Sequence, residues 1–138
     1  IFRTMKKLLF SHRPLATDLG LLLLRLAAGG IMAYSHGWGK LQKLLDGNMN
    51  FADPIGLGEE ASLILTVFAE FFCGVLVAAG LFTRAVLMPL IITMAVAVLI
   101  IHADDPFGDK EHGLLFLIPY VTLFLTGPGA FSLDKKLG

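Results

Sequence analysis

At 138 residues, with 56% hydrophobic and 16% charged residues and a mean hydropathy of +0.77, the chain is too apolar for a soluble domain of its size. Its 11 Lys and Arg balance 11 Asp and Glu, so no basic surface for nucleic acid is indicated. Composition leaves a single all-α integral membrane domain over residues 1–138, in contact with the lipid bilayer.

The first element follows a basic start of Arg3, Lys6, Lys7 and Arg13. An apolar run over residues 19–34 extends to a span over about 17–36, entered through Pro14 and Asp18, which suit the first turn of a helix. A cleaved signal peptide ending near Ala27-Ala28-Gly29 would show the same start, but Arg25 inside the run speaks against it. The chain opens on Ile1, which implies processing or numbering that begins within a longer product, and Met5 is a candidate start. Beyond the span, Trp38, Leu41 and Leu45 recur at helical spacing, with Lys40, Lys43 and Asp46 on other faces. That pattern predicts a short amphipathic helix lying in the interface and anchored by Trp38.

Residues 37–59 form the first outer loop, and a second span runs over about 60–82. Only Phe82-Thr83-Arg84 separates it from a third span over about 84–102, so the two are an antiparallel hairpin. An outer loop over 103–111 leads to a fourth span over about 112–126. Pro119 is expected to kink that span, and Gly127-Pro128-Gly129 ends it. Lys and Arg concentrate at the two termini and at Arg84, while both outer loops are acidic. The positive-inside rule then gives a four-helix bundle with both termini cytoplasmic.

Two charges lie within these spans, Arg25 and Glu70. An ionised group near a bilayer midplane costs about 3 kcal/mol or more, so such residues face a bundle interior and find partners. Arg25, Gly29, Met32 and His36 share one stripe of the first span; Glu59, Leu63, Thr66, Glu70, Gly74 and Val77 share one of the second. At about 1.5 Å per residue, Arg25 stands about 12 Å and Glu70 about 18 Å above the cytoplasmic edge, within reach of an ion pair. Gly29 and Gly74 beside them allow close helix approach. The pair is read either as a tie between helices or as the border of a cavity for a quinone headgroup or a proton path.

On the third span, Arg84, Met88, Ile91, Ala95, Val98 and His102 share a face crossing from one surface to the other. His36, Lys40, His102, Asp104, Glu111 and His112 therefore converge at the outer end. Their spacing matches no fixed ligand motif, so no metal is assigned and haem is disfavoured. A pH-sensitive or quinone-contacting hydrogen-bond cluster and ordinary interfacial polarity stay open. Cys73, alone in the chain, is a packing residue and forms no disulfide or thiol relay within it.

With LLRLAAGGIMAYSHGWGKL from Leu23, EFFCGVLVAAGLFTR from Glu70, His102, Glu111 and GPGAFSLD from Gly127, the chain resembles the DoxX family of small four-helix bacterial membrane proteins. The resemblance implies a four-helix bundle whose family-typical positions fall on Arg25, Gly37, Lys40, Glu70, Gly80, Arg84, His102, Glu111 and Asp134. It also implies a role as a subunit of a respiratory or thiol-linked redox complex, quinone-reducing in some relatives. The leading expectation is a membrane subunit, not catalytic alone, whose polar interior serves quinone access or partner docking. It would assemble with other membrane subunits or as a homo-oligomer. A structural accessory subunit and a small transporter or lipid-handling protein are the alternatives.

Overall fold

The computed structural model describes residues 1–138, all of whose regular structure is helical. Helix α1 covers Phe2–Leu9, α2 Thr17–Leu45, α3 Glu59–Ala79, α4 Thr83–Ile101, α5 Phe107–Thr126 and α6 Leu133–Leu137. Three of these, α2, α3 and α4, are long and apolar enough to cross a membrane. The 20-residue α5 packs along α4 and carries Asp109, Lys110 and Glu111 near its start.

Helix α2 corrects the expectation of a separate interfacial segment. No proline or left-handed residue interrupts residues 35–38, so Trp38–Leu45 continues the first helix in one 29-residue rod. At about 1.5 Å per residue that rod is some 43 Å long, against about 30 Å of hydrocarbon, so one end of it projects beyond the apolar layer.

Parts of three helices are wound wider than an α-helix: Leu26–Gly37 in α2, Phe68–Cys73 in α3 and Ala97–Ile101 in α4. There the backbone bonds five residues back, as from Trp38 N–H to the Ala33 carbonyl and from His102 N–H to that of Ala97. π-Helical turns are uncommon and gather at functional sites. All three stretches contribute side chains to the same end of the molecule.

Close approach of α2 to α3 organises the interior. A Cβ on Gly29 would stand 2.5 Å from the Gly74 carbonyl oxygen, and one on Gly74 2.9 Å from that of Gly29, so the backbones touch as the two glycines predicted. Around that seam lie Met32, Cys73, Val77, Leu87, Leu90, Tyr120 and Leu123, with the Tyr120 hydroxyl donating to the Ala28 carbonyl at 2.8 Å. The inward face of α4 is Thr83, Leu87, Leu90 and Met94, rotated from the expected stripe, on which Met88 is 46% exposed. Val98 and His102 turn inward through the final wide turn.

Charge divides the two ends. Arg3, Lys6, Lys7, Arg13, Arg84, Lys135 and Lys136, seven of the 11 cations, lie at the end holding the start of α2 and both α6 and the α3–α4 turn. The opposite end holds eight acids, Asp46, Asp53, Glu59, Glu60, Asp104, Asp105, Asp109 and Glu111, against Lys40, Lys43 and Lys110.

Candidate functional site

At the acidic end, Lys40 Nζ meets Glu70 Oε2 at 2.6 Å. The Glu70 side chain is 7% exposed and that of Lys40 27%. Gly37 makes the contact feasible, because a Cβ there would meet Phe71 N at 2.6 Å and the Glu70 carbonyl carbon at 2.8 Å. With hydrogen alone at Gly37, α2 lies on the α3 backbone beside Glu70, and Lys40, one turn further, reaches over the carboxylate.

Two cavities meet at this pair. One, of about 280 Å³, lies between α3, α4 and the loop over residues 46–58, with Phe51, Ile55, Leu65 and Ile92 among its apolar lining. Leu65 and Ile92 are half-exposed on the outside of the helices, so its mouth is on the lipid-facing side. Asp53 secures the loop, accepting from Gly58 N–H and Ser62 Oγ, each at 3.0 Å. The other cavity, of about 210 Å³, is polar and lined by His36, Lys40, Glu70, His102, Asp109 and His112. In it His36 Nε2 and His112 Nε2 stand 2.8 Å apart, so one ring donates an N–H to the other, and His102 Nδ1 lies 2.7 Å from Asp105 Oδ2.

The predicted outer cluster is therefore brought together in part. His36, Lys40, His102 and His112 converge, whereas Asp104 and Glu111 are exposed and make no side-chain hydrogen bond or ion pair. Asp105 and Asp109, one helical turn from His102 and His112 respectively, supply the carboxylates instead.

The expected Arg25–Glu70 pair does not form. Arg25, fully buried, turns toward the basic end and donates from Nη2 to the Phe131 carbonyl, while Glu70 takes Lys40. The long arginine stem reaches its own end of the helix, as charged side chains in apolar surroundings do. Gly80 leaves the room: with φ at +70°, it ends α3, and a Cβ there would collide with the guanidinium.

Asp134 completes this second cluster, accepting from Phe82 N–H at 2.7 Å and Thr83 N–H at 2.9 Å and so capping α4. Burial works against its ionisation, but hydrogen bonds from Thr83 and Phe82, aided by the Arg25 charge, hold its carboxyl below the usual range. Arg84 Nε donates to the Phe124 carbonyl at 3.0 Å, and Asp18 accepts from Ala130 N–H at 2.9 Å. The basic end is a clasp in which the segment after α5 ties α2, α3 and α4.

The DoxX profile matches residues 20–103, a stretch that holds Arg25, Lys40, Glu70 and His102. The chain belongs to the DoxX family. A DoxX relative, CatD of Bacillus subtilis (strain 168), is 34% identical over 118 residues, 85% of this chain and 86% of its own, and is named provisionally as an oxidoreductase. No solved structure matches the chain. Family membership accounts for the apolar helices and their lipid contact; Glu111 and Asp134 lie outside the matched stretch.

Proposed function

We propose that this chain is the quinone-binding membrane subunit of a bacterial redox assembly. In this reading it crosses the inner membrane four times, with α5 as the fourth span and both termini in the cytoplasm. The observation that carries the proposal is the position of the Lys40–Glu70 pair, in the wall shared by an apolar cavity with a lipid-side mouth and a polar cavity at the acidic end. An amphipathic ring compound needs that combination of apolar lining and one convergent charged pair. The seven cations at one end support the orientation, and the name given to CatD supports redox chemistry.

A quinone bound there takes up two electrons from an electron-donating partner protein and two protons, leaving as the quinol. Lys40 Nζ donates a hydrogen bond to the ring carbonyl, and Glu70 fixes the ammonium and exchanges protons with it. His36 and His112, hydrogen-bonded to one another, connect that pair to the acidic end through the polar cavity. Excluding water from the apolar side keeps proton traffic on the polar one.

The test is quenching of Trp38 fluorescence by a short-chain quinone, with the purified protein in nanodiscs. Trp38 is the only tryptophan and adjoins Phe71, next to Glu70. Saturable quenching, weakened about 10-fold or more in a folded Lys40→Met/Glu70→Gln double variant, is the expected result, since a hydrogen bond to a charged group contributes about 1.5–3 kcal/mol. Absent saturation, or equal affinity in the double variant, would leave the pair a structural tie and the chain an accessory subunit.

A further inference from the structure

Helix α1 buries no residue against the rest of the chain and makes no side-chain hydrogen bond or ion pair with it. Its sequence, FRTMKKLL, nevertheless sorts into two faces: Phe2, Met5, Leu8 and Leu9 on one, Arg3, Lys6 and Lys7 on the other. The apolar side chains are between 51% and 88% exposed. An isolated helix of 8 residues is marginal in water, so a surface outside this chain must cover that face.

We infer that α1 is an in-plane anchor for anionic phospholipid, docking on the membrane leaflet next to the start of α2. Three observations select lipid over a protein partner or a second copy. The short connection over residues 10–16 keeps α1 beside the end of a helix apolar enough to span a bilayer. The cationic face continues into Arg13, which with Arg3, Lys6, Lys7, Phe10 and His12 lines a recess of about 360 Å³. The two acids at the same end, Asp18 and Asp134, accept from backbone N–H groups elsewhere and neither lines this recess nor forms an ion pair with its cations. A basic amphipathic helix with Phe and Leu on its other face lies in the headgroup boundary, drawn by negative lipid. A second copy would bring the same positive recess and repel it.

The intact protein carries the test, labelled with an environment-sensitive dye at Met5→Cys in a Cys73→Ala background. It is placed in nanodiscs of zwitterionic phosphatidylcholine with increasing phosphatidylglycerol. Dye emission should shift to the apolar signature as anionic lipid rises, and revert in about 1 M salt, where the Debye length falls to about 3 Å. Each elementary charge at a lipid surface changes the docked ratio about fivefold, so Lys6→Glu/Lys7→Glu should lower it by more than about 100-fold. Emission that is independent of lipid charge and salt overturns the inference, as does an apolar signature that appears only with a second copy or a protein partner. Inorganic phosphate that fails to reverse docking at millimolar concentration supports the lipid surface; full reversal shows a free-anion site and overturns it.

Discussion

Removing the lysine of the Lys40–Glu70 pair should cost far more than removing both partners. At 2.6 Å and an effective dielectric constant of about 20, the attraction is about 6 kcal/mol before either group's desolvation is counted. Lys40→Met leaves a carboxylate that is 7% exposed with no cation beside it, a situation that costs about 3–5 kcal/mol for a buried pair. Because the lysine head retains 27% of its exposure, water can partly replace it, and the lower half of that range is expected. For a domain of this size, about 3 kcal/mol lowers Tm by roughly 10 °C. Glu70→Gln should cost less, since the amide still accepts a hydrogen bond and Lys40 can turn to water. The Lys40→Met/Glu70→Gln double variant should return to within about 1 kcal/mol of wild type, giving a coupling energy of about 2 kcal/mol or more in the double-mutant cycle. Thermal unfolding in nanodiscs, followed by Trp38 fluorescence, reads all four proteins. Additive losses would refute the reasoning, for they would mean that the two groups do not sense one another.

Three further outcomes follow from the packing. Gly37→Ala should part α2 from α3 and cost as much as Lys40→Met or more, because its Cβ has backbone rather than a flexible side chain in its way; the same unfolding assay checks it. Gly80→Ala meets a left-handed backbone penalty of about 1–2 kcal/mol and also displaces Arg25, so it should reduce the folded yield in membranes, measured by protease resistance of the C-terminal segment. Asp134→Ala removes the carboxylate that accepts from two backbone N–H groups at the start of α4 and should cost about 1–2 kcal/mol at neutral pH. As the Asp134 carboxyl is held below the ordinary value of about 4, its contribution is complete above that value and disappears as the pH falls further. Unfolding of wild type and variant compared across pH 7 to 3 should therefore converge at the acid end.

Much of this architecture was legible in the residues. Apolar runs with Gly and Pro punctuation located the long helices, and the glycines beside Arg25 and Glu70 announced the seam at Gly29 and Gly74. What the sequence misassigned were the partners of the two charges. Which residues share a long helix was readable, but rotation about its axis was not, because π-helical turns over Leu26–Gly37 and Phe68–Cys73 change the angle per residue that an α-helical wheel assumes. Lys40 was placed in an interfacial segment because polar residues after Tyr34 look like the end of a helix. Its spacing of four from His36 was the available signal that the stripe continued. Asp105 and Asp109 were hidden differently: four carboxylates crowd residues 104–111, and only the fold decides which of them stand beside His102 and the polar cavity.

The clasp at the basic end has a consequence for biogenesis. Arg25 emerges early in translation, but the carbonyl it bonds, that of Phe131, is 106 residues later. At about 5–20 residues per second, α2 waits some 5–20 s with a guanidinium that has no lasting partner. During that interval α2 carries an unpaired charge that costs about 3 kcal/mol or more at the centre of a bilayer, which disfavours its settling there alone. The clasp thus closes only once the segment carrying Phe131 has been made, so α2 reaches its final setting later than its own place in the chain would suggest.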